Sequence, residues 1–431
     1  MKKLATLLLA AGMVVASTAP ANAVDVKVDG RYRFSYSTGE TGFKGENNEM
    51  VQQRLRLGLT FTASENLAGY VQFQDGKDVW GTAQNTHGKH GNFVTRQAFI
   101  DWKVPATPVK VRMGRHALGL PADAFGNNAI LCSGWGVRDG IVVSSPVTNW
   151  LDVTAMWSRI GHHAVKTEAG FEAVDRTDNN DFFALVANLK FDGVSGSVYG
   201  AYAALDASDP KVMGAATDAN FTVAEGDAYW LGFTSTFSFF DPFTLKFSAA
   251  YGEFNSNDKT VDDQDGWNVQ AKASYALPFG TPVLGAWYFS GNDKDGEGLM
   301  PSLGGYFVPT RTYHDAANGL NGGLAKYLPS GNWGVQTGIE GMSFLTDLSH
   351  DVLVTYMQGT NDEDWDGNNY EYLSEKDSLV SLDFISTYKI YKNLAAHLEL
   401  SYIISDFNAD AKKDGFKEDD WRAELTFDFK F

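Results

Sequence analysis

From Val26 to Tyr36 the chain alternates: Val26, Val28, Gly30, Tyr32, Phe34 and Tyr36 fall on one face, and Lys27, Asp29, Arg31, Arg33 and Ser35 on the other. Successive side chains of an extended strand point to opposite faces, so the pattern predicts a strand with one oily and one polar face. The next segment repeats it, with Gln53, Leu55, Leu57, Leu59 and Phe61 against Gln52, Arg54, Arg56, Gly58 and Thr60. Comparable units recur near residues 67–75, 94–102, 109–115, 138–145, 150–160, 181–191, 195–205, 228–239, 243–254, 266–276, 283–290, 334–346, 350–358, 377–389, 395–406 and 419–431. The count is 16 to 18 strands, with 18 the best value, each about the 9 to 11 residues that a tilted transmembrane strand needs.

The connections alternate in length. Ser64 to Asn66, Pro146 to Asn149, Asp192-Gly193 and Phe240 to Pro242 are short, whereas Thr38 to Met50, Gly76 to Asn92, His116 to Val137, Gly161 to Asn180, Asp206 to Asp227 and Gly291 to Trp333 are long. Short periplasmic turns and long external loops are the arrangement of an outer-membrane barrel. No apolar stretch after residue 23 approaches the roughly 20 residues of a membrane-spanning helix, so a closed all-β antiparallel barrel is the fold that lets this chain cross a bilayer. The last strand carries Trp421, Ala423, Leu425, Phe427, Phe429 and Phe431 on one face and ends on an aromatic residue.

Export is read from the first 23 residues: Lys2 and Lys3, an apolar run from Leu4 to Ala16, then Ala21-Asn22-Ala23. This is a secretory signal with cleavage near Ala23, leaving residues 24–431 as a single domain in the bacterial outer membrane. Cleavage removes two of the 35 Lys and Arg and none of the 53 Asp and Glu, for a mature charge of −20. Nucleic acid is thereby disfavoured as a partner. Cys132 is the sole cysteine, so no intramolecular disulfide contributes to folding.

Three stretches resemble the trimeric general porins of Gram-negative outer membranes, and the whole is similar to the homotrimeric porins of sulfate-reducing, Desulfovibrio-type bacteria. They are Gln53 to Phe61 with Ser64 to Gln74, Arg96 to Trp102 with Val111 to Arg115, and Val137 to Pro146. The resemblance implies a homotrimer in contact with outer-membrane lipid and lipopolysaccharide, with Phe431 presented to the barrel-assembly machinery. It also implies that residues 116–137 fold into the lumen as a constriction loop. That loop lacks the Pro-Glu-Phe-Gly-Gly signature of enterobacterial porins and reads Leu120-Pro-Ala-Asp-Ala-Phe-Gly126, which leaves Asp123 as its acid.

A barrel of this size keeps an aqueous channel. Inward parity puts Arg31, Arg33, Arg54, Arg56, Lys110, Arg112 and Arg422 on the polar face as a basic wall, and Asp123 across from them would complete a transverse field. The expected function is an outer-membrane porin for passive diffusion of small polar solutes and ions, without enzymatic activity or a required cofactor. The alternative is a substrate-specific, anion-selective channel on the same barrel. A surface adhesin using the Gly291 to Trp333 loop is a further reading, since loops of that length are usually functional.

Asp362, Asp364 and Asp366 with Gly367 reproduce the first half of an EF-hand-type loop, which makes the external loops candidates for calcium. The twelfth position is Leu373 rather than Glu, and Asp293-Lys-Asp295-Gly-Glu297 is looser still. His87 to His90 and His162-His163 read as solvated turns, and Cys132 as a small buried hydrophobe. No nucleophile motif, phosphate loop or metalloprotease helix is present.

Overall fold

The computed structural model describes residues 24–41, 46–80, 93–131, 137–166, 172–205, 225–257, 263–304, 307, 331–365, 373–407 and 419–431. Eighteen strands follow one another: β1 Asp25–Thr41, β2 Glu46–Ser64, β3 Leu67–Val79, β4 Val94–Lys103, β5 Lys110–Ala117, β6 Val137–Pro146, β7 Leu151–Lys166, β8 Glu172–Phe191 and β9 Val194–Leu205. The second half comprises β10 Gly226–Phe240, β11 Phe243–Ser256, β12 Gln264–Tyr275, β13 Thr281–Phe289, β14 Asn332–Leu345, β15 Leu348–Gly359, β16 Ser378–Tyr391, β17 Leu394–Asp406 and β18 Asp419–Lys430. Each pairs antiparallel with its neighbours in sequence, and β18 returns to β1, so the sheet closes without an edge. Closure is what satisfies every spanning backbone N–H and C=O where no water is present to do so.

The seam is made by apolar rungs, with Tyr32 opposite Phe429 and Phe34 opposite Phe427. Phe431 exchanges backbone hydrogen bonds of 2.8 and 3.0 Å with Gly30. Its ring lies flat over Gly30, where any Cβ would overlap it. The terminal aromatic is thus built into barrel closure.

Outward positions are apolar and exposed, and aromatic residues gather at both ends of the wall. Trp150, Phe191, Phe239, Phe240, Tyr275, Phe344 and Tyr391 stand at the short turns, and Tyr36, Tyr229, Tyr251, Trp267, Tyr402 and Trp421 towards the long loops. Two aromatic girdles flanking an apolar band are the outer surface of a barrel seated in a bilayer.

Several strands exceed their expected lengths. Pairing of β1 with β2 runs out to Glu40 opposite Asn47, and β7 with β8 to Lys166 opposite Glu172, so much of the expected loops from Thr38 to Met50 and Gly161 to Asn180 is strand. Beyond the membrane both faces of a hairpin meet water. The apolar alternation stops there although the backbone ladder continues.

Two segments fill part of the barrel interior. Residues 118–131 fold inward after β5 as expected, with Leu118, Leu120, Ala124, Ile130 and Leu131 buried. A second segment after β13, carrying Leu299, Met300, Leu303 and Phe307, is buried beside the first, although the sequence reading placed it on the surface. Leu303 N donates to Ile130 O at 2.8 Å and Ser302 Oγ to Ala129 O at 2.8 Å, so the two lock together. Residues 1–23, including the expected signal, lie outside the described residues, as does Cys132.

Candidate functional site in the barrel lumen

Strand register puts the basic residues in rows on the inner wall. Arg31 stands directly opposite Arg56, and Arg33 opposite Arg54, across the β1–β2 ladder. Like charges directly opposed on one face of a sheet are destabilising unless acids or anions offset them. The β18 side supplies acids: Arg31 donates through Nε and Nη2 to Asp428 at 2.7 and 2.8 Å, and Arg33 Nε lies 3.7 Å from the same carboxylate. Arg422 pairs with Glu424 on its own strand. Arg33 and Arg422 are buried in the wall at 4% and 6% exposure, so they brace the sheet instead of lining open water.

The other side of the strip has different partners. Arg56 Nε donates to Gln74 Oε1 at 2.8 Å, and Arg96 Nη1 to Gln72 Oε1 at 3.0 Å, both neutral acceptors. The charges of Arg54, Arg96 and Arg31 all bear on Arg56. Further along, Arg112 is held by Asp101 at 2.6 and 2.8 Å with its guanidinium 4.2 Å above the Phe99 ring. Lys110 stands at the short-turn end of β5, opposite Lys103 and Ser144. The expected basic wall therefore divides into acid-paired arginines at its flanks and a centre at Arg56 and Arg96 hydrogen-bonded to glutamines.

Arg96 is the member that parity reasoning left out of the wall. Counting back by twos from outward Trp102 puts it on the lipid side. The β3–β4 ladder, however, passes from Gln72 opposite Gln97 to Phe73 opposite Thr95, and the extra residue at this bulge is Arg96. A bulge shifts the side-chain phase of its strand, and here it lets Arg96 reach Gln72 inside. The sequence signal that could have found it is an arginine among Gln72, Gln74 and Gln97, since a polar cluster of this kind is expensive on a lipid face.

Asp123 sits on the inward loop, but its carboxylate does not face the arginines. It accepts hydrogen bonds from Gln270 Nε2 at 3.1 Å, Phe125 N at 3.0 Å and Asn127 N at 3.3 Å, while Ala124 N donates to Ser248 Oγ at 3.0 Å. The expectation of an exposed acid across the constriction is corrected to an anchor buried against β11 and β12. A short acidic side chain in a tight turn satisfies its own backbone first. Burial pushes the Asp123 carboxyl up to about 7, against the lowering effect of those hydrogen bonds.

The same side of the lumen is aromatic. Phe125 packs edge-on against Trp287 and Phe307 at 5.5 and 5.3 Å between ring centroids. Trp287 Nε1 donates to Asn332 Oδ1 at 2.7 Å, and Trp230 Nε1 to Pro301 O at 2.8 Å. Arg138 donates to Leu118 O and Leu303 O, joining both inward segments to β6. The wall from β8 to β13 is thus covered by the two inward segments.

The acidic loop after β15 is arranged around its own backbone. Asp362 Oδ1 accepts from Asp364 N at 2.8 Å, Lys294 Nζ lies 3.9 Å from Asp364, and Lys376 pairs with Glu363. Asp293 does likewise, accepting from Asp295 N and Glu297 N at 3.0 Å each. Among the described residues no group of three or more His, Cys, Asp or Glu could hold a metal ion. Asp366, His87 and His90 lie outside those residues.

A closed 18-strand barrel, aromatic-girdled outside and carrying arginines and inward loops inside, is the architecture of a membrane-spanning channel. The chain matches the model of the Gram-negative porin family over residues 5–296, and it belongs to that family. It is therefore a porin-like channel of the outer membrane, from a family of channel proteins rather than enzymes. Solved structures share the fold. OprD from Pseudomonas aeruginosa is 14% identical over 97% of this chain and 96% of its own, with a TM-score of 0.58. OccAB1 from Acinetobacter baumannii is 13% identical over 96% and 99%, also at 0.58, and Pseudomonas aeruginosa OpdK, crystallised with vanillate, is 12% identical over 94% and 98%, at 0.59. No curated protein matches the sequence.

Proposed function

We propose that the channel passes small polar solutes and ions by passive diffusion and favours anions, carboxylates foremost. The observation that carries this reading is the centre of the basic wall, where Arg56 and Arg96 are hydrogen-bonded to the neutral acceptors Gln74 and Gln72, with Arg54 beside them. A carboxylate moving along this strip exchanges water for guanidinium forks, which match its two oxygens, and relieves repulsion between neighbouring cations. The glutamines that hold Arg56 and Arg96 bind weakly enough to yield to a passing anion, whereas the acid-paired arginines at the flanks stay closed. Passage requires sites that bind and release readily, which a row of half-satisfied arginines supplies.

A substrate-specific channel is the second reading, favoured by the narrowing that two interlocked inward segments impose. Vanillate, found with OpdK, carries a carboxylate on an aromatic ring. Assembly as a homotrimer, contact with lipopolysaccharide and delivery of Phe431 to the assembly machinery belong to the same proposal. Swelling of liposomes containing the purified protein tests it, using neutral, cationic and carboxylate solutes of matched size. Faster, unsaturated entry of the carboxylate supports general diffusion with anion preference, and saturable entry supports the specific channel. Equal rates for all three would reject the preference.

A further inference from the structure

We propose that Lys246 and Lys272, on the wall facing the arginine strip, form a second anion site in the lumen, one that takes a compact tetrahedral oxyanion, a phosphate group foremost. The proposal rests on the reading of the chain as an anion-favouring channel and gives that channel a site of different chemistry on its opposite side.

Lys246 lies on β11 and Lys272 directly opposite it on β12. Both share the inward parity of Ser248 and Gln270, the opposed pair one inward position further from the short turns. Ser248 and Gln270 hold the tip of the first inward segment, through Ala124 N and the Asp123 carboxylate. The two lysines therefore stand just beneath that tip, on its periplasmic side. Cations opposed on one face of a sheet repel each other unless an acid or an anion offsets them. One acid is at hand, since Lys272 Nζ is 2.9 Å from Glu340 Oε1. Lys246 is exposed, and among the described residues no carboxylate pairs with it.

Register sets the depth of the pair. The rung that begins at Phe61 on β2 climbs through Met113 on β5 and Phe183 on β8 to Glu253 on β11 and Asp265 on β12. Strands about 4.8 Å apart and tilted roughly 40° raise such a rung by about 3 Å per strand, and each residue along a strand adds about 2.5 Å. Lys246 and Lys272 then stand about 10 and about 13 Å above the level of Phe61, and Arg31 and Arg56 stand at the same two heights. β2 and β11 are nine strands apart in a ring of eighteen. The lysines thus face the arginines across the lumen at one depth, and a solute crossing that level passes between cations of two kinds.

The donors around the lysines decide what fits. Thr236 is opposite Lys246, and Thr244 is opposite Ser274 one inward position below, so three hydroxyls border the two ammonium groups on the inner face. An ammonium is a compact point charge without the planar fork of a guanidinium. Donors that converge from three strands suit an anion whose oxygens point in several directions. A phosphate group presents three or more such oxygens, whereas a carboxylate presents two in one plane, the shape that the arginine forks across the lumen match.

Chloride current through the reconstituted protein, titrated with inorganic phosphate or with acetate at mildly alkaline pH, tests the site. Phosphate is expected to reduce the current. Lys246→Gln should raise the half-blocking concentration by about fivefold or more, the effect of one charge at about 4 Å in water. The acetate response should shift far less, and Arg54→Ala/Arg56→Ala should weaken acetate more than phosphate. Because Lys246→Gln removes an exposed cation that no acid holds, the barrel should stay folded, which an unchanged unfolding temperature checks. A phosphate monoester such as glycerophosphate that blocks as well as inorganic phosphate makes any phosphate group an occupant, and one that does not restricts the site to the free ion; either upholds it. A phosphate block unaltered in Lys246→Gln, or phosphate and acetate weakened equally by it, would overturn the proposal. The reversal potential in potassium chloride separates this site from the reading beneath it. A cation-selective pore whose phosphate block weakens in Lys246→Gln would reject the anion preference and leave the site standing, whereas an anion-selective pore that phosphate does not block would do the reverse.

Discussion

The wall from β1 to β5 and the wall from β8 to β13 look onto one lumen and solve opposite problems. On the first, arginines stand opposite arginines, stabilised at the flanks by Asp428 and Asp101 and at the centre by Gln72 and Gln74. On the second, two inward segments cover the strands with Phe125, Phe307, Leu303 and Ile130, and Asp123 is turned into the packing. On the proposed reading the covered wall sets how wide the passage is, and the basic wall sets what charge it favours. Width and selectivity can therefore be changed separately.

Breaking the covered wall should have the largest effect. Phe307 is fully buried against Phe125, Trp287 and Phe289, and Phe307→Ala removes packing of about 3–5 kcal/mol from the second inward segment. Single-channel recording should show a several-fold rise in conductance with little change in ion preference. Unaltered conductance would mean that the segment does not limit the passage.

Next comes the acid that restrains the flank of the basic wall. Asp428→Ala leaves Arg31 and buried Arg33 without their shared partner, a loss of about 3 kcal/mol at a buried site. Thermal unfolding in detergent should fall accordingly, and anion preference should increase. Removing the centre instead, with Arg54→Ala/Arg56→Ala, should lower the anion-to-cation permeability ratio by about fivefold or more, since each charge at about 4 Å in water is worth about 1 kcal/mol. Conductance to neutral solutes should hardly change.

Asp123 offers a pH handle on the covered wall. Its carboxyl is raised to about 7, so the folded loop favours the protonated acid. The stabilisation is complete below the ordinary carboxylate range and is lost as pH rises through about 7, when a charge must be carried in a buried site. Loop-dependent current fluctuations should increase as pH rises from the ordinary carboxylate range to about 7 and level off above it, and Asp123→Asn should be flat over the same range. The smallest effect belongs to Arg112→Ala, whose half-exposed pair with Asp101 is worth about 1 kcal/mol or less in stability.

How much of this was legible in the sequence depends on what each residue faces. Strand number and closure could be read because lipid and water on opposite faces impose strict alternation, as at Val26 to Tyr36. Where both faces are wet the signal disappears, which is why the outer reaches of β1, β2, β7 and β8 read as loops. Arg31, Arg33, Arg54, Arg56 and Arg422 could be assigned to the lumen by parity alone. Arg96 could not, because the bulge that turns it inward leaves no mark in the alternation. Asp123 was placed on the correct loop, but the direction of its carboxylate depends on Gln270, 147 residues away. The burial of Leu299 to Phe307 likewise comes from contacts with the first inward segment, which no local pattern encodes.

The most direct test of an anion-favouring, water-filled passage is the reversal potential of the reconstituted protein in a planar bilayer under a potassium chloride gradient. The arginine strip predicts open-channel current with a reversal potential of the sign set by chloride, moving towards zero in Arg54→Ala/Arg56→Ala. A potential of the sign set by potassium, or one indifferent to that substitution, would contradict it.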